Sequence, residues 1–130
     1  QYAAVRANKI VQKMGLDPTI GPLSPPDVLA DADGWKHVSP QEADDLWDLA
    51  HSATRLRHLA DQVQRTEEPS HLARFALQSA QKFNGLYHRY PILQERDPVK
   101  QALRLFVVQV FRRQMTLALD LMGIPVPAQM

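Results

Sequence analysis

The sequence predicts an all-α fold, a helical bundle of four main helices with a long proline-rich loop after the first. Two observations predict this class. Apolar residues recur every three or four positions in four stretches, the spacing that gathers them on one face of a helix. Helix-start signals precede two of these stretches, Ser39-Pro40-Gln41-Glu42 and Asp97-Pro98. The 130 residues, 45% of them hydrophobic, suffice for one core, so we expect a single domain over residues 1–130.

The first predicted helix covers about Tyr2 to Met14. Gly15 favours the left-handed conformation that ends helices, and Lys13 in the last turn suits the helix dipole. Residues 16–38 follow as a proline-rich insert, which contains Pro18, Pro22, Pro25 and Pro26. This composition favours a loop over a helix, and the sequence leaves open whether the loop is ordered.

The second predicted helix begins at the capping box of Ser39 and Glu42 and extends at least to Val63. One apolar stripe follows it: Leu46, Leu49, Ala53, Leu56, Ala60 and Val63. The opposite face carries Asp44, Asp45, Asp48, Arg55, Arg57 and Asp61. We expect that face to be solvated, because acidic residues near a helix start suit the dipole without any catalytic role.

The third predicted helix runs from about Ser70 to Arg89, and Pro91 ends it because the residue before a proline avoids the α region. Its apolar face comprises Leu72, Phe75, Ala76, Ser79, Phe83, Leu86 and Tyr90. The fourth helix begins at Asp97 and ends near Met122, before Gly123. It is apolar over more than half of its circumference, which predicts a place in the middle of the bundle.

The composition favours a binding module over a catalyst. The net charge is +1. Because cysteine is absent, disulfides and thiolate metal sites are excluded. The five histidines do not stand at metal-ligand spacing, and no glycine-rich phosphate loop is present. Arg112 and Arg113 interrupt the best apolar run, so we expect no membrane partner. We expect no cofactor, metal or catalytic residue in this chain.

Positive charge is concentrated on one face of the first helix. Tyr2, Arg6, Lys9 and Lys13 fall within an arc of about 60°, and residues 1–15 contain no acid. A nucleic-acid strand needs such cations for its phosphates and an aromatic ring for stacking. The alternative is an amphipathic helix whose solvated face is basic.

Two further segments carry candidate contacts. The last helix has one polar strip, which comprises Gln109, Arg112, Arg113, Thr116 and Asp120. This strip either faces solvent or forms a groove that faces a ligand. Residues 82–90 are also free of acids. Within them, Tyr87 lies at the edge of the apolar face and can point outward, whereas Phe83 lies at its middle and is better suited to the core.

Three stretches resemble arginyl-tRNA synthetases. The stretch from Gln101 to Met130 is similar to the end of that family, with Ala102-Leu103-Arg104 of its DALR-type helix, Gln109, Leu119 to Ile124, Pro127 and the terminal Met130. "QKFNGLYHRYPIL" resembles its FN-x-x-Y segment, and "QYAAVRANKI" resembles the start of its anticodon-binding domain. The matches come in family order. Gln101 replaces the aspartate of DALR, Ala4 replaces a usual histidine, and the insert has no clear counterpart.

The resemblance implies the anticodon-binding domain of a cytoplasmic class I arginine–tRNA ligase. Its partners would be the anticodon loop of an arginine-accepting tRNA and its own catalytic domain, expected upstream, which uses ATP and Mg²⁺. The expected tRNA contacts are Tyr2, Arg6, Lys9, Lys13, Phe83, Tyr87, Gln109, Arg112, Arg113 and Met130. Gly123, Pro125 and Pro127 would direct Met130 to the loop. Two alternatives remain: a free-standing tRNA-binding paralogue, and a protein-interaction module with a polyproline ligand at residues 22–26.

Overall fold

The structure, a computed structural model, describes residues 2–15, 32–66 and 70–126, and these residues form helices and connections without a strand. The elements are α1 (Tyr2–Lys13), a 3₁₀ helix (Ala32–His37), α2 (Pro40–Thr54), α3 (Leu56–Thr66), α4 (Ser70–Arg89) and α5 (Pro98–Leu121). The all-α prediction is confirmed. Residues 16–31 of the insert lie outside the described residues, whereas the last part of the insert is helical, with Trp35 packed against the core.

The predicted second helix is two helices in the structure, so the described residues form five α-helices within the all-α bundle that the sequence predicts. The break falls at Arg55, whose N–H donates to the carbonyl of Ser52, three residues earlier, at 3.2 Å. This tighter turn interrupts the regular α-helical hydrogen bonding. It lets α2 pack on both α4 and α5 while α3 packs on α4. The sequence at the break contains no proline or glycine.

The central position predicted for the last helix is confirmed, since α5 contacts α1, α2, α4 and the 3₁₀ helix. Its buried apolar residues are Leu103, Val107, Val108, Phe111, Met115, Ala118 and Leu119. The buried arc of α5 is narrower than its apolar arc, because Leu117 and Leu121 are 40% and 55% exposed. The predicted cap is confirmed: the Asp97 carboxylate accepts the N–H of Val99 at 2.9 Å.

The predicted face of α4 is buried residue by residue. Leu72, Phe75, Ala76, Ser79, Phe83 and Leu86 are buried, and Tyr90 is half-buried. The rings of Phe83 and Phe111 lie parallel with centroids 4.3 Å apart, which joins α4 to α5 at the middle of the core.

The acidic face of α2 is not simply solvated, contrary to the prediction. Asp45 accepts hydrogen bonds from Arg89 at 3.1 Å and from the Tyr90 hydroxyl at 2.7 Å. The bond to Asp45 raises the pKa of Tyr90, because losing the hydroxyl proton would remove the donor. Asp48 pairs with Lys82 at 3.1 Å. These contacts tie α2 to α4.

Candidate functional site

A basic groove of about 280 Å³ lies beside α1. Its lining residues are Tyr2, Val5, Arg6, Lys9, Ile10, Lys13, Tyr87 and Leu93; this set is called the basic groove below. The periodicity of α1 creates it. Small and β-branched residues on one side of the helix are buried against the bundle: Ala3, Ala4, Val5, Ala7, Ile10 and Val11. The row of Tyr2, Arg6, Lys9 and Lys13 is thereby turned toward the groove, as the sequence predicts.

The guanidinium of Arg6 is held between two aromatic rings. Its central carbon lies 4.8 Å from the ring centroid of Tyr2 and 4.8 Å from that of Tyr87. It donates to the Tyr2 hydroxyl at 3.1 Å and to the Asn84 side-chain oxygen at 3.2 Å. A guanidinium between rings keeps its charge and gives up little freedom when it binds, since two contacts already fix its plane.

Tyr87 rests on the core. Its ring lies 6.2 Å from that of Phe83 at an interplanar angle of 30°, and Phe83 in turn stacks on Phe111. Phe83 is 0% exposed, so its expected role as a direct tRNA contact is corrected. The physical reason is its place at the centre of the apolar face of α4. Phe83 supports Tyr87 from below.

The electrostatics of the groove are one-sided. Arg6, Lys9 and Lys13 line it, and no carboxylate lines it among the residues that the structure describes. Lys9 and Lys13 are exposed, and Tyr2 is 57% exposed, so these side chains can reach a ligand without rearrangement of the bundle. Three cations beside two rings suit a single-stranded, polyanionic ligand with flat bases.

The structure does not bring the polar strip of α5 into the groove. Gln109, Arg112 and Arg113 are absent from the lining described above. Arg112 is only 7% exposed, which corrects its expected role as a surface contact. Gln109 and Arg113 are half-buried. Thr116, also on this strip, donates its hydroxyl to the carbonyl of Arg112 at 2.8 Å and so bonds within the helix.

The tail after α5 turns back onto the bundle. Gly123 has φ of 72°, and the N–H of Ile124 donates to the carbonyl of Leu119 at 2.8 Å, which reverses the chain as a glycine cap does. Ile124 and Val126 pack against the core. Met130 and Pro127 lie outside the described residues, so the docking of the terminal methionine stays a prediction.

Sequence reasoning missed Leu93 as a groove residue. Leu93 is 40% exposed in the connection between α4 and α5, where no periodicity applies. Only the fold places it opposite α1. Asn84 is better signalled, because it stands three residues before Tyr87 on the same helix and binds the arginine that Tyr87 covers.

A second groove, of about 300 Å³, has a different chemistry. It is lined by Trp35, Leu46, Trp47, Ala50, Leu103, Phe106 and Val107, so its lining is entirely uncharged. Trp47 is 65% exposed there. An apolar lining of this kind suits the side chains of a protein and offers nothing to phosphate groups.

Across residues 2–15, 32–66 and 70–126, no group of three or more His, Asp or Glu side chains is placed to hold a metal ion. In those same residues no helix has both the length and the apolar character required to cross a membrane.

Comparison with known proteins gives a consistent result. The sequence profile described as the DALR anticodon binding domain matches residues 1–130. An arginine–tRNA ligase of Lactobacillus delbrueckii subsp. bulgaricus is 29% identical over 100% of this chain, which covers 20% of that protein. One from a Synechococcus strain is 32% identical over 99% of the chain and 20% of the relative. One from Alkaliphilus metalliredigens is 43% identical over 52% of the chain and 12% of the relative. The chain thus spans a fifth or less of each of these relatives.

Proposed function

The chain belongs to the family of DALR anticodon binding domains, and on that premise we propose that it binds the anticodon loop of an arginine-accepting tRNA. The observation that supports this most is the Arg6 guanidinium held between Tyr2 and Tyr87 in a groove whose described lining residues include no acid. Proteins read RNA loops by placing splayed bases on aromatic rings or guanidinium planes and by bonding to base edges. The groove offers both surfaces within one helical turn of α1.

Each groove residue has a distinct role in this proposal. Tyr2 supplies an exposed stacking face, Tyr87 holds the guanidinium of Arg6 in place, and Arg6 donates to a base edge or a phosphate. Lys9 and Lys13 neutralise the phosphates that follow along α1. Met130 adds an apolar contact from the tail, whose first residues pack on the bundle. Gln109 and Arg113 are peripheral contacts.

We also propose that this domain works within a longer arginine–tRNA ligase in the cytoplasm. The relatives that carry this name are about five times longer, which leaves room for a catalytic domain. ATP and Mg²⁺ would be used by that remaining part, and the domain described here would contribute recognition of the tRNA alone.

A second candidate function is supported by the uncharged groove. Trp35, Trp47 and Phe106 form an apolar surface that suits a protein contact. In this case the chain is a helical interaction module without an RNA role. The two functions predict different effects of two substitutions. If the chain binds a protein partner through this groove, Trp47→Ala should abolish that binding and Arg6→Ala should leave it unchanged. If the chain binds RNA, Arg6→Ala should weaken RNA binding and Trp47→Ala should leave it unchanged.

The experiment that tests the proposed function compares Arg6→Ala with a matched control. Arg74 is an exposed arginine of α4 that does not line the basic groove, so Arg74→Ala makes the same change of charge elsewhere. Binding of an arginine tRNA transcript is measured by fluorescence anisotropy over a range of salt concentrations. Arg6→Ala should weaken binding by about 1–3 kcal/mol and lower the slope of log Kd against log salt by about one. Equal effects of the two substitutions would refute the groove as the binding site.

A further inference from the structure

The connection between α4 and α5 forms one wall of the basic groove. Residues 90–97 contain no helix or strand, yet they place Leu93 in the lining, opposite α1. A segment without a repeating backbone pattern must satisfy its polar groups through other contacts, and those contacts fix its path. Four side chains fix the path of this segment: Ile92, Glu95, Gln101 and Arg104.

The residues just before Leu93 are anchored by two side chains of α5. Ile92 is 1% exposed in the core, and its carbonyl accepts the side-chain N–H of Gln101 at 2.9 Å. The carbonyl of Pro91 accepts Nη1 of Arg104 at 2.7 Å. Two consecutive carbonyls before Leu93 are therefore bound to α5.

The residues after Leu93 are held by hydrogen bonds to the side chain of Glu95. One oxygen of its carboxylate accepts Nη1 of Arg104 at 2.7 Å. The other accepts the backbone N–H groups of Arg96 and Asp97, each at 3.1 Å. Arg104 is itself fixed, because its Nε donates to the buried carboxylate of Glu42 on α2. Arg104 thus binds the segment on both sides of Leu93.

We infer that Gln101 and Arg104 are positioning residues for RNA binding, which hold residues 91–95 so that Leu93 forms an apolar contact for a base in the groove. This inference rests on the proposed function. Neither Gln101 nor Arg104 lines the groove, so both act through the segment. The side-chain amide of Gln101 is the donor that binds the carbonyl of Ile92.

The test is a double-mutant cycle between Gln101→Leu and Leu93→Ala. Gln101→Leu removes the donor at nearly constant volume. Each single variant should weaken binding of the arginine tRNA transcript about fivefold, and the double variant should bind no more than about twofold more weakly than either single one. The slope of log Kd against log salt should stay unchanged, because no cation is removed. Gln78→Leu makes the same substitution at an exposed site of α4 outside the groove and should leave the Kd unaltered.

A second variant, Arg104→Lys, tests the other anchor. It keeps the positive charge beside Glu42 but offers one donor atom where the guanidinium has three, so it should also weaken binding without a change in slope. Circular dichroism thermal melts of all variants separate binding from stability. If Gln101→Leu lowers the melting temperature and leaves the Kd within about twofold, the residue is merely structural and the inference is overturned.

Three other outcomes would also overturn the inference. Losses that multiply in the double variant would mean that Gln101 and Leu93 act independently. If the wild-type chain binds RNA and none of the variants changes the Kd, the positioning role is overturned and the proposed function stands. A wild-type chain that binds no RNA even at low salt would overturn both.

Discussion

Removing the side chain of Arg104 is expected to be the most destabilising charge change in the described part of the chain. The side chains of Arg104 and Glu42 are 6% and 5% exposed, and they join α5 to α2. Burial lowers the pKa of Arg104, but the hydrogen bonds and charges of Glu42 and Glu95 raise it by more, so the pKa lies above its ordinary value. Arg104 is therefore charged, and Arg104→Met would leave the buried side chain of Glu42 without its partner.

The magnitude follows from this burial. Removing one partner of a buried ion pair costs about 3–5 kcal/mol, a large share of the roughly 5–15 kcal/mol that holds an ordinary domain folded. For a chain of this size, each kcal/mol lowers the melting temperature by about 3–5 °C. Arg104→Met should therefore melt about 10–25 °C below the wild-type chain.

Thermal melts followed by circular dichroism provide the assay, with two controls. Lys82→Ala breaks the pair with Asp48, whose side chains are 40% and 60% exposed, and should cost less than about 1 kcal/mol. Glu42→Leu combined with Arg104→Met removes both charges and should recover part of the loss. A drop for Arg104→Met no larger than that for Lys82→Ala would refute the argument that burial sets the energy of this pair.

Three other predictions concern pH, the aromatic stack and the tail. Hydrogen bonds from the backbone N–H of Asp97, and the charge of Arg104, hold the pKa of Glu95 below its usual 4.5, so its stabilisation is present above that pH and is lost as pH falls through the lowered value. Glu95→Gln should then lower the melting temperature at pH 7 and have little effect in strong acid; an equal effect at both pH values would contradict this. Phe83→Ala should cost about 3–5 kcal/mol of stability, whereas Tyr87→Ala should mainly weaken RNA binding, and both are checked by a melt and a titration. Deleting Met130 should weaken RNA binding without loss of helicity, and an unaltered Kd would remove the terminus from the site.

Local signals predicted the elements that depend on local physics. The buried face of α4 and the cap at Asp97 follow from spacing and capping, which involve neighbours within one turn. The row on α1 was predictable for the same reason, because 100° per residue fixes which side chains share a face.

Features that depend on distant contacts were not predictable. Glu42 stands at the capping-box position, and its N–H does donate to Ser39 Oγ at 3.2 Å. Its carboxylate, however, binds Arg104, 62 residues away. The burial of Arg112 has the same origin, since it depends on which helices pack against α5. No residue pattern within one element contains that information.

The place of Leu93 illustrates the consequence for the site. The sequence identified the side of the basic groove that lies on α1, and Tyr87 at its far edge. The position of Leu93 in the groove depends on the carbonyls of Pro91 and Ile92, which Arg104 and Gln101 hold. Only the folded chain shows these contacts.

The central claim is that this domain recognises the anticodon loop, and one titration tests it most directly. The chain is titrated with an arginine tRNA transcript and with a copy altered only in the anticodon, at two salt concentrations. We expect tighter binding of the unaltered transcript at both, with the preference retained as salt rises, because base contacts depend less on salt than phosphate contacts do. Equal affinity for the two transcripts would contradict the claim and reduce the groove to a site for phosphates alone.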